Sequence, residues 1–403
     1  MNDIERAIAA LGPGALCEEA LRRVVDPLFS GVLQRSCGTI YLANHSLGRP
    51  LDRVAADVQE GLSFWYAELD DAWTHWREEM LAFRTRVAAL IHAPGPQCII
   101  PKASAGQGLR AVLNRYDRQI RVVTTRSEFD SIDLILKAYA ERGRIAVDWV
   151  TPREGGRYCF DDFAPALAAG ADLLVVSMVF FDTGQLLNDL DAILVTARSH
   201  GAQVLLDLYH VAGALPVDVQ ALDVDFAIGG SYKYLRGGPG AAWLFAHPRR
   251  LDGRERSLDV GWFALNDPFA FERHARPDFA GGADGWLDAT PAVLPFYQAR
   301  AGLEFTLAVG VERLRAYSKV QQAMLTDCIA EQGVSTLDVD RPHGAFLTVK
   351  APQSKNLVAR LREHGVIADA RADLLRLCPD IVNSSDELIE ASKSIGRALR
   401  SLT

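Results

Sequence analysis

Short apolar segments alternate with amphipathic helical patterns along most of this chain. One apolar run, residues 204–206, stops abruptly at Asp207, and a second, residues 226–228, breaks into Gly229 and Gly230. Such continuous apolar runs are typical of buried parallel strands whose ends open into loops. Strands that alternate with helices favour a sheet with helices packed on both faces. The pattern therefore predicts an α/β fold with a mostly parallel sheet.

The same pattern divides the chain into three stretches. Residues 1–35 form a predicted helical segment of the small domain, and residues 36–300 carry the strands and helices of the large domain. Residues 301–403 continue a long amphipathic helix predicted over 295–332, followed by alternating strands and helices, with the first strand at 336–341. We therefore predict a large domain joined to a small C-terminal α+β domain.

Composition narrows the function classes. The chain has 403 residues, and 49% of them are hydrophobic, which is enough to fill a sizeable core. The net charge is −8 and there is no basic block, so the charge pattern of a nucleic-acid-binding protein is missing. Six cysteines without Cys-x-x-Cys spacing predict free thiols and no zinc site. With no secretory signal and no apolar run near the roughly 20 residues that cross a bilayer, we expect a soluble cytoplasmic protein without membrane or metal.

Two predicted strand ends each present one ionisable group, Asp207 and Lys233. Pyridoxal phosphate (PLP) needs such a pair, because a lysine amine holds its aldehyde as a Schiff base and an aspartate keeps its pyridine nitrogen protonated. Burial would lower the pKa of the lysine and supply a neutral, nucleophilic amine. Taken singly, the aspartate is more typical of a helix N-cap and the lysine of a solvated loop. The surrounding Ser-Tyr-Lys-Tyr-Leu and Gly-Gly-Pro-Gly tracts favour PLP.

Around these two residues the chain resembles the kynureninases, members of the class V aminotransferase group. Their aspartate motif reads Asp-x-Ala-His-x-x-Gly, followed by Val-Pro-Val-Asp, and their lysine motif reads Tyr-Lys-Tyr-Leu-x-x-Gly-Pro-Gly. The matching residues are Asp207, His210, Gly213, Pro216, Val217, Asp218, Tyr232, Lys233, Tyr234, Leu235, Gly238, Pro239 and Gly240. The resemblance implies PLP as cofactor, the type I fold with a seven-stranded sheet, an amino-acid substrate, and a homodimer with shared active sites.

The resemblance also assigns residues to the cofactor. Lys233, Asp207 and Tyr232 would be catalytic, and His210 would lie beside the cofactor. Phe129, which follows a predicted strand, stands where the family stacks an aromatic ring on the pyridine.

The phosphate of PLP would be bound from two directions. Ser104 and Ala105 begin a predicted helix at the position of the family's phosphate loop, and a helix N-terminus offers free N–H groups to an anion. Trp262 and Thr290 match family residues that reach the phosphate from the partner chain.

For the substrate, the resemblance points to Arg376, Asn44 and His45. Arg376 stands where the family keeps the arginine that grips the substrate carboxylate, and a planar two-pronged donor suits that group. Asn44 and His45 lie in a turn that the family places near the substrate, and the near-neutral pKa of a histidine suits recognition or proton transfer.

One segment departs from the family. Phe180 and Phe181 stand where kynureninases have Asn and Tyr. A pocket that loses hydrogen-bonding groups cannot select the same polar substrate by the same contacts. We therefore expect hydrolytic cleavage of a Cβ–Cγ bond, or related lyase chemistry at the β-carbon, on an amino acid other than standard kynurenine. A class V aminotransferase is the closest alternative, a cysteine desulfurase is less favoured, and a PLP-binding protein without catalysis is the non-enzyme alternative.

Overall fold

The computed structural model describes residues 2–253, 256–337 and 341–402. The strands are β1 (Ile40–Tyr41), β2 (Ile99–Lys102), β3 (Ile120–Thr125), β4 (Ile145–Val150), β5 (Leu173–Ser177), β6 (Gln203–Asp207), β7 (Phe226–Gly230), β8 (Ala242–Ala246), β9 (Thr336–Leu337), β10 (Leu347–Lys350), β11 (Val366–Ile367), β12 (Asp369–Arg371) and β13 (Leu374–Leu377). The helices are α1 (Asp3–Leu11), α2 (Glu18–Val24), α3 (Ser30–Arg35), α4 (Arg53–Glu68), α5 (Ala72–Leu90), α6 (Ala105–Leu113), α7 (Asp130–Glu141), α8 (Phe160–Ala168), α9 (Leu190–Ser199), α10 (Leu294–Val309), α11 (Val311–Glu331), α12 (Ser354–Glu363) and α13 (Ser385–Arg400).

The central sheet confirms the predicted α/β fold. Within the described residues it has seven strands in the order β2-β8-β7-β6-β5-β3-β4, and only β8 runs antiparallel to its neighbours. Alternate residues of β6 face opposite cores: Val204 and Leu206 pack into one, and Leu205 packs into the other. Helices therefore cover both faces of the sheet, which explains the continuous apolar run in this strand.

A smaller sheet forms the centre of the C-terminal part of the chain. In the described residues it is four-stranded and antiparallel, in the order β12-β13-β10-β9, with α12 and α13 packed against it. β1 pairs in parallel with β11, and Ala43 bridges to Cys378 just beyond β13. These pairings bring the turn at residues 44–48 against the end of the small sheet.

Two predicted elements differ from the structure or extend beyond it. The single helix predicted over 295–332 is wrong, because the chain forms α10 and α11, which are separated at Gly310 with φ 92°. A left-handed backbone at this glycine ends the first helix, although the apolar periodicity continues across it. Of the strand predicted at 336–341, β9 forms the first part, and residues 338–340 lie outside the described residues.

Membrane insertion of a helix finds no support in the structure. None of the helices in the described ranges combines the length and apolarity that crossing a bilayer requires.

The close packing of α10 on the loop after β7 makes a stability prediction. A Cβ on Gly302 would lie 1.9 Å from the Leu235 carbonyl oxygen, so Gly302→Ala must displace backbone. We expect this change to lower the free energy of unfolding by about 1–3 kcal/mol, the usual cost of overpacking. Urea unfolding followed by circular dichroism would measure it. The control is Gly281→Ala, because a Cβ at Gly281 meets open space and its φ is −77°; equal losses in both variants would contradict the prediction.

Candidate active site

Parallel pairing places Asp207 and Lys233 at one edge of the sheet. β6 ends at Asp207, which is in register with Ile228 of β7, and Lys233 follows three residues after the end of β7. Both side chains are buried, and both line a cavity of about 430 Å³ beyond the strand ends. Ligands of open α/β sheets bind at this edge.

Burial sets the electrostatics of this pair. Desolvation raises the pKa of Asp207, although an N–H bond from Tyr209 at 2.8 Å and the charge of Lys233 oppose that rise. Desolvation lowers the pKa of Lys233, and the Asp207 carboxylate partly offsets the effect. The Lys233 amine is therefore more readily neutral than that of an exposed lysine. A cation placed next to Asp207 would favour the ionised form of the Asp207 carboxylate.

The same cavity contains the residues predicted at the phosphate end. Ser104 caps α6, its Oγ accepts a hydrogen bond from the Gln107 N–H at 3.2 Å, and Ala105 and Gly106 line the cavity beside it. Arg110, which was not predicted, also lines this end, and its Nη1 lies 3.7 Å from the position of a Cβ on Gly106. Side chains on a helix point back toward its N-terminus. The position of Arg110, four residues after Gly106, was therefore the sequence signal that could have placed it at this end of the cavity.

Aromatic rings enclose the lysine. The Nζ of Lys233 lies 5.5 Å from the ring centre of Phe129, 5.2 Å from that of Tyr209 and 5.8 Å from that of Tyr232. Phe129 meets Phe181 edge to face at 5.4 Å, and both rings line the cavity. The predicted residues Phe129 and Tyr232 therefore share one cavity with the lysine, and Tyr209 and Phe181 add to its walls.

His210 lies directly on the lysine. Its Nε2 is 2.5 Å from the Lys233 Nζ, and its Nδ1 is 3.2 Å from the Tyr234 hydroxyl. Burial lowers the pKa of His210 well below the usual value, and the charge of Lys233 lowers it further, so the imidazole is neutral at pH 7.

The predicted substrate arginine already holds an internal carboxylate. Arg376 donates from Nε to Asp369 at 2.8 Å and from Nη2 to the second carboxylate oxygen at 2.5 Å, while Nη1 donates to the Phe181 carbonyl. His45 lies 2.8 Å from the same Asp369 carboxylate and stacks on Phe346 at 4.8 Å. Despite that carboxylate, burial lowers the pKa of His45 to about 4, so it is neutral at pH 7.

Asn44 reaches a different part of the site. Its Nδ2 donates to the Cys378 carbonyl at 3.0 Å, and it lines a second, small cavity that also touches Lys233. Among the described residues, its buried Oδ1 accepts no hydrogen bond. Asn44 therefore lies behind the lysine, and the main cavity lies in front of it.

Trp262 and Thr290 do not join the cavity of their own chain. The indole N–H of Trp262 donates to the Thr290 hydroxyl at 3.1 Å, and Thr290 lines a separate pocket with Lys102 and Asp288. Thr290 is exposed and Trp262 is half-buried, so the pair lies at the surface, apart from the main cavity.

Sequence reasoning missed a buried carboxylate behind the cavity. Glu128 accepts hydrogen bonds from the Thr125 hydroxyl at 2.7 Å and from the Ser177 hydroxyl at 2.6 Å. Ser177 lines the cavity and pairs in register with Asp207. Desolvation raises the pKa of Glu128 from 4.5 to about 7, although the Ser177 and Thr125 hydrogen bonds oppose the rise. No sequence motif marked this residue; its only signal was its place directly before Phe129.

The residues that line the cavity fit PLP. A buried carboxylate at the end of β6 suits a pyridinium, a buried lysine suits an aldehyde, and the capped N-terminus of α6 suits a phosphate. Groups of three or more metal-ligating side chains are absent from the described residues.

Comparison with known proteins agrees with this chemistry. The family described as Aminotransferase class-V matches residues 40–370. The kynureninase of Deinococcus radiodurans is 31% identical over 358 residues, which cover 84% of this chain and 84% of that protein. The kynureninase of Pseudomonas fluorescens is 26% identical, covering 83% of this chain and 82% of that protein.

Solved structures share the fold at lower identity. The cystine C-S lyase C-DES, in complex with its reaction product cysteine persulfide, superposes with a TM-score of 0.81 at 20% identity, covering 91% of this chain and 99% of that chain. The cysteine desulfurase CsdA from Escherichia coli has a TM-score of 0.81 at 18% identity, covering 97% and 100%. These likenesses establish the type I fold of PLP-dependent enzymes.

The raised pKa of Glu128 predicts a specific pH dependence of stability. Between pH 4.5 and about 7 the folded state keeps a proton that the unfolded chain has released, so the free energy of unfolding falls as pH rises. Glu128→Gln lacks this titration, so relative to wild type it should gain about 3 kcal/mol across that window. Urea unfolding at several pH values would measure the difference. Exposed Glu141→Gln is the control; a constant difference between Glu128→Gln and wild type would contradict the prediction.

Proposed function

Since the chain belongs to the class V aminotransferase family, with kynureninases among its relatives, we propose that this PLP-dependent enzyme hydrolyses the Cβ–Cγ bond of an amino acid that carries a carbonyl at Cγ. One observation carries the proposal: Lys233 and Asp207 are buried at adjacent strand ends in the cavity that Phe129 also lines. When bound, PLP supplies an electron sink for the bonds of the substrate α-carbon.

The residues of the chain supply proton transfer and positioning. Lys233, whose burial lowers its pKa and so favours the neutral amine, would hold the cofactor and then move the proton of the substrate α-carbon. Asp207 would keep a positive charge on the ring nitrogen, and Phe129 would hold the ring flat from one side. In the overall reaction, water adds to the γ-carbonyl and the Cβ–Cγ bond breaks, which yields alanine and a carboxylic acid.

Arg376 would bind the substrate carboxylate while it keeps Asp369. The Nε edge of the guanidinium is taken by Asp369, and Nη1 and Nη2 carry one further N–H each. Asp369 thus orients the planar donor, and His45 supports Asp369 from the other side.

Of the two phenylalanines that stand where kynureninases have Asn and Tyr, only one lines the cavity. Phe180 is fully buried and packs on Tyr158 with ring centres 4.7 Å apart, whereas Phe181 lines the cavity beside Phe129. The loss of hydrogen bonding therefore concentrates at Phe181, and the apolar wall there favours a substrate side chain without the ring amine of kynurenine.

A desulfurase mechanism is disfavoured by the cysteines. Cys378 is the one nearest to Arg376 in sequence, but it is buried and its thiol lies 3.2 Å from the Ala345 carbonyl. Burial raises the pKa of this thiol far above its usual value, so it is a poor nucleophile. All six cysteines are within the described residues, and none of them lines the main cavity.

A homodimer would complete the phosphate site. Trp262 and Thr290 lie outside the cavity of their own chain, so a second copy must carry them to it if they bind phosphate. The nearby Phe271 is 78% exposed and stacks on Trp262. Exposed apolar surface around these residues is the kind that an interface buries.

Product analysis tests the proposed reaction. We expect the holoenzyme to release alanine from L-2-amino-4-oxo-4-phenylbutanoate at least tenfold faster than from L-kynurenine, which differs only by the ring amine. Phe181→Tyr restores a hydrogen-bonding group and should shift kcat/KM toward kynurenine by about tenfold. Phe180→Tyr, which alters the core, is the control. An oxo acid in place of alanine would identify transamination, and no release of alanine from either compound would contradict the proposal.

Subunit mixing tests the shared site. Lys233→Ala and Trp262→Ala proteins are each expected to be nearly inactive. In a mixed dimer, the site with an intact Lys233 also receives an intact Trp262 from its partner, so activity should return to about a quarter of wild type after exchange. Activity that stays at the level of the separate variants would contradict the shared site, and a monomeric mass in light scattering would contradict the dimer.

A further inference from the structure

Tyr234, His210 and Lys233 form a continuous buried chain of polar atoms. The Lys233 Nζ lies 2.5 Å from His210 Nε2, and the Tyr234 hydroxyl lies 3.2 Å from His210 Nδ1. All three residues are less than 9% exposed. Among the described residues, the Tyr234 hydroxyl forms a hydrogen bond only with His210, so any polar role of this hydroxyl acts through the imidazole.

This chain of atoms has two complete hydrogen-bond patterns. With a protonated Lys233, Nζ donates to Nε2 and Nδ1–H donates to the Tyr234 oxygen. With a neutral Lys233, the Tyr234 hydroxyl donates to Nδ1 and Nε2–H donates to Nζ. A hydroxyl donates or accepts equally well, so His210 stays neutral and hydrogen-bonded in both.

A small cavity borders Tyr234 and Lys233. It holds about 40 Å³, enough for a water molecule, and Lys233, Tyr234, Asn44 and Asp380 are among its lining residues. The buried Oδ1 of Asn44 and Oδ2 of Asp380 accept no hydrogen bond from the described residues, so a water there would find acceptors.

We propose that Tyr234 is a positioning residue that lets His210 change tautomer and so pass a proton between Lys233 and the small cavity. In one direction, Lys233 gives a proton to Nε2, Nδ1 gives its proton to the Tyr234 oxygen, and the hydroxyl proton passes to water. One proton leaves and the positive charge moves with it, so the balance closes. The proposal rests on the proposed function only in taking Lys233 as the lysine that holds PLP.

The charged and titratable groups around the relay are the same in every variant compared below. Those that face its three members are Asp207, Asp369, Arg371, Arg376, His45, Arg315, Cys378, Tyr209 and Tyr232.

The pH dependence of cofactor capture tests the relay. Only the neutral amine of Lys233 attacks the aldehyde, so the rate at which PLP-free protein captures added PLP should rise with pH around the Lys233 pKa. Tyr234→Phe removes the oxygen that accepts the hydrogen bond from His210 Nδ1–H. The positive charge of protonated Lys233 strengthens that hydrogen bond, so the change destabilises the pattern with protonated Lys233 more than the pattern with neutral Lys233. We expect the midpoint of the rate profile to fall by about half a pH unit or more.

A second comparison keeps the test decisive. Tyr297→Phe is the control, because Tyr297 is equally buried and its hydroxyl contacts the His75 carbonyl, away from the cavity. In a His210→Asn background, Tyr234→Phe should cause no further shift. An unchanged midpoint in Tyr234→Phe, an equal shift in Tyr297→Phe, or a full shift without His210 would each overturn the relay. If wild type captures PLP but releases no alanine from either test compound, the proposed function fails while the relay test still stands.

Discussion

The in-register pairing of β6 with β7 is the constraint on which the site depends. It fixes the buried Asp207 carboxylate at the end of one strand and the loop of Lys233 at the end of the next. Neither group is solvated by water. Burial therefore disfavours the charged form of each side chain, whereas the charge of each favours the charged form of the other. The surrounding fold must therefore hold two costly groups in place, which is typical of functional sites.

Close backbone packing holds the loop that carries Lys233 in place. A Cβ on Gly48 would lie 1.9 Å from the Lys233 carbonyl oxygen, and one on Gly302 equally close to the Leu235 carbonyl oxygen. Backbone from the N-terminal turn and from α10 therefore presses on the loop from two sides. Arg376, on the small sheet, holds Asp369 and donates to the carbonyl of Phe181, whose ring lines the cavity, so the small sheet contacts the cavity wall.

The sequence pattern predicted the parts of the site that depend on local order. The abrupt ends of apolar runs located Asp207 and Lys233, and small residues before a helix located Ser104. The type I fold was implied by the resemblance of the aspartate and lysine motifs to those of the kynureninases. What remained hidden depends on side-chain contacts that only the folded chain defines. Asp369 meets Arg376 only across the β12–β13 hairpin, and the opposite orientations of Phe180 and Phe181 depend on the loop after β5. The roles proposed for these residues, and the domain boundaries, stay predictions.

The most direct test of the central claim is the visible absorbance of purified protein supplied with PLP. A lysine-bound PLP should give a band at about 420 nm that is lost in Lys233→Ala. Lys102→Ala is the matched control, because Lys102 is also buried but lines a separate pocket. The account predicts that wild type and Lys102→Ala show the band and that Lys233→Ala does not. A band that persists in Lys233→Ala, or is missing from wild type, would contradict it.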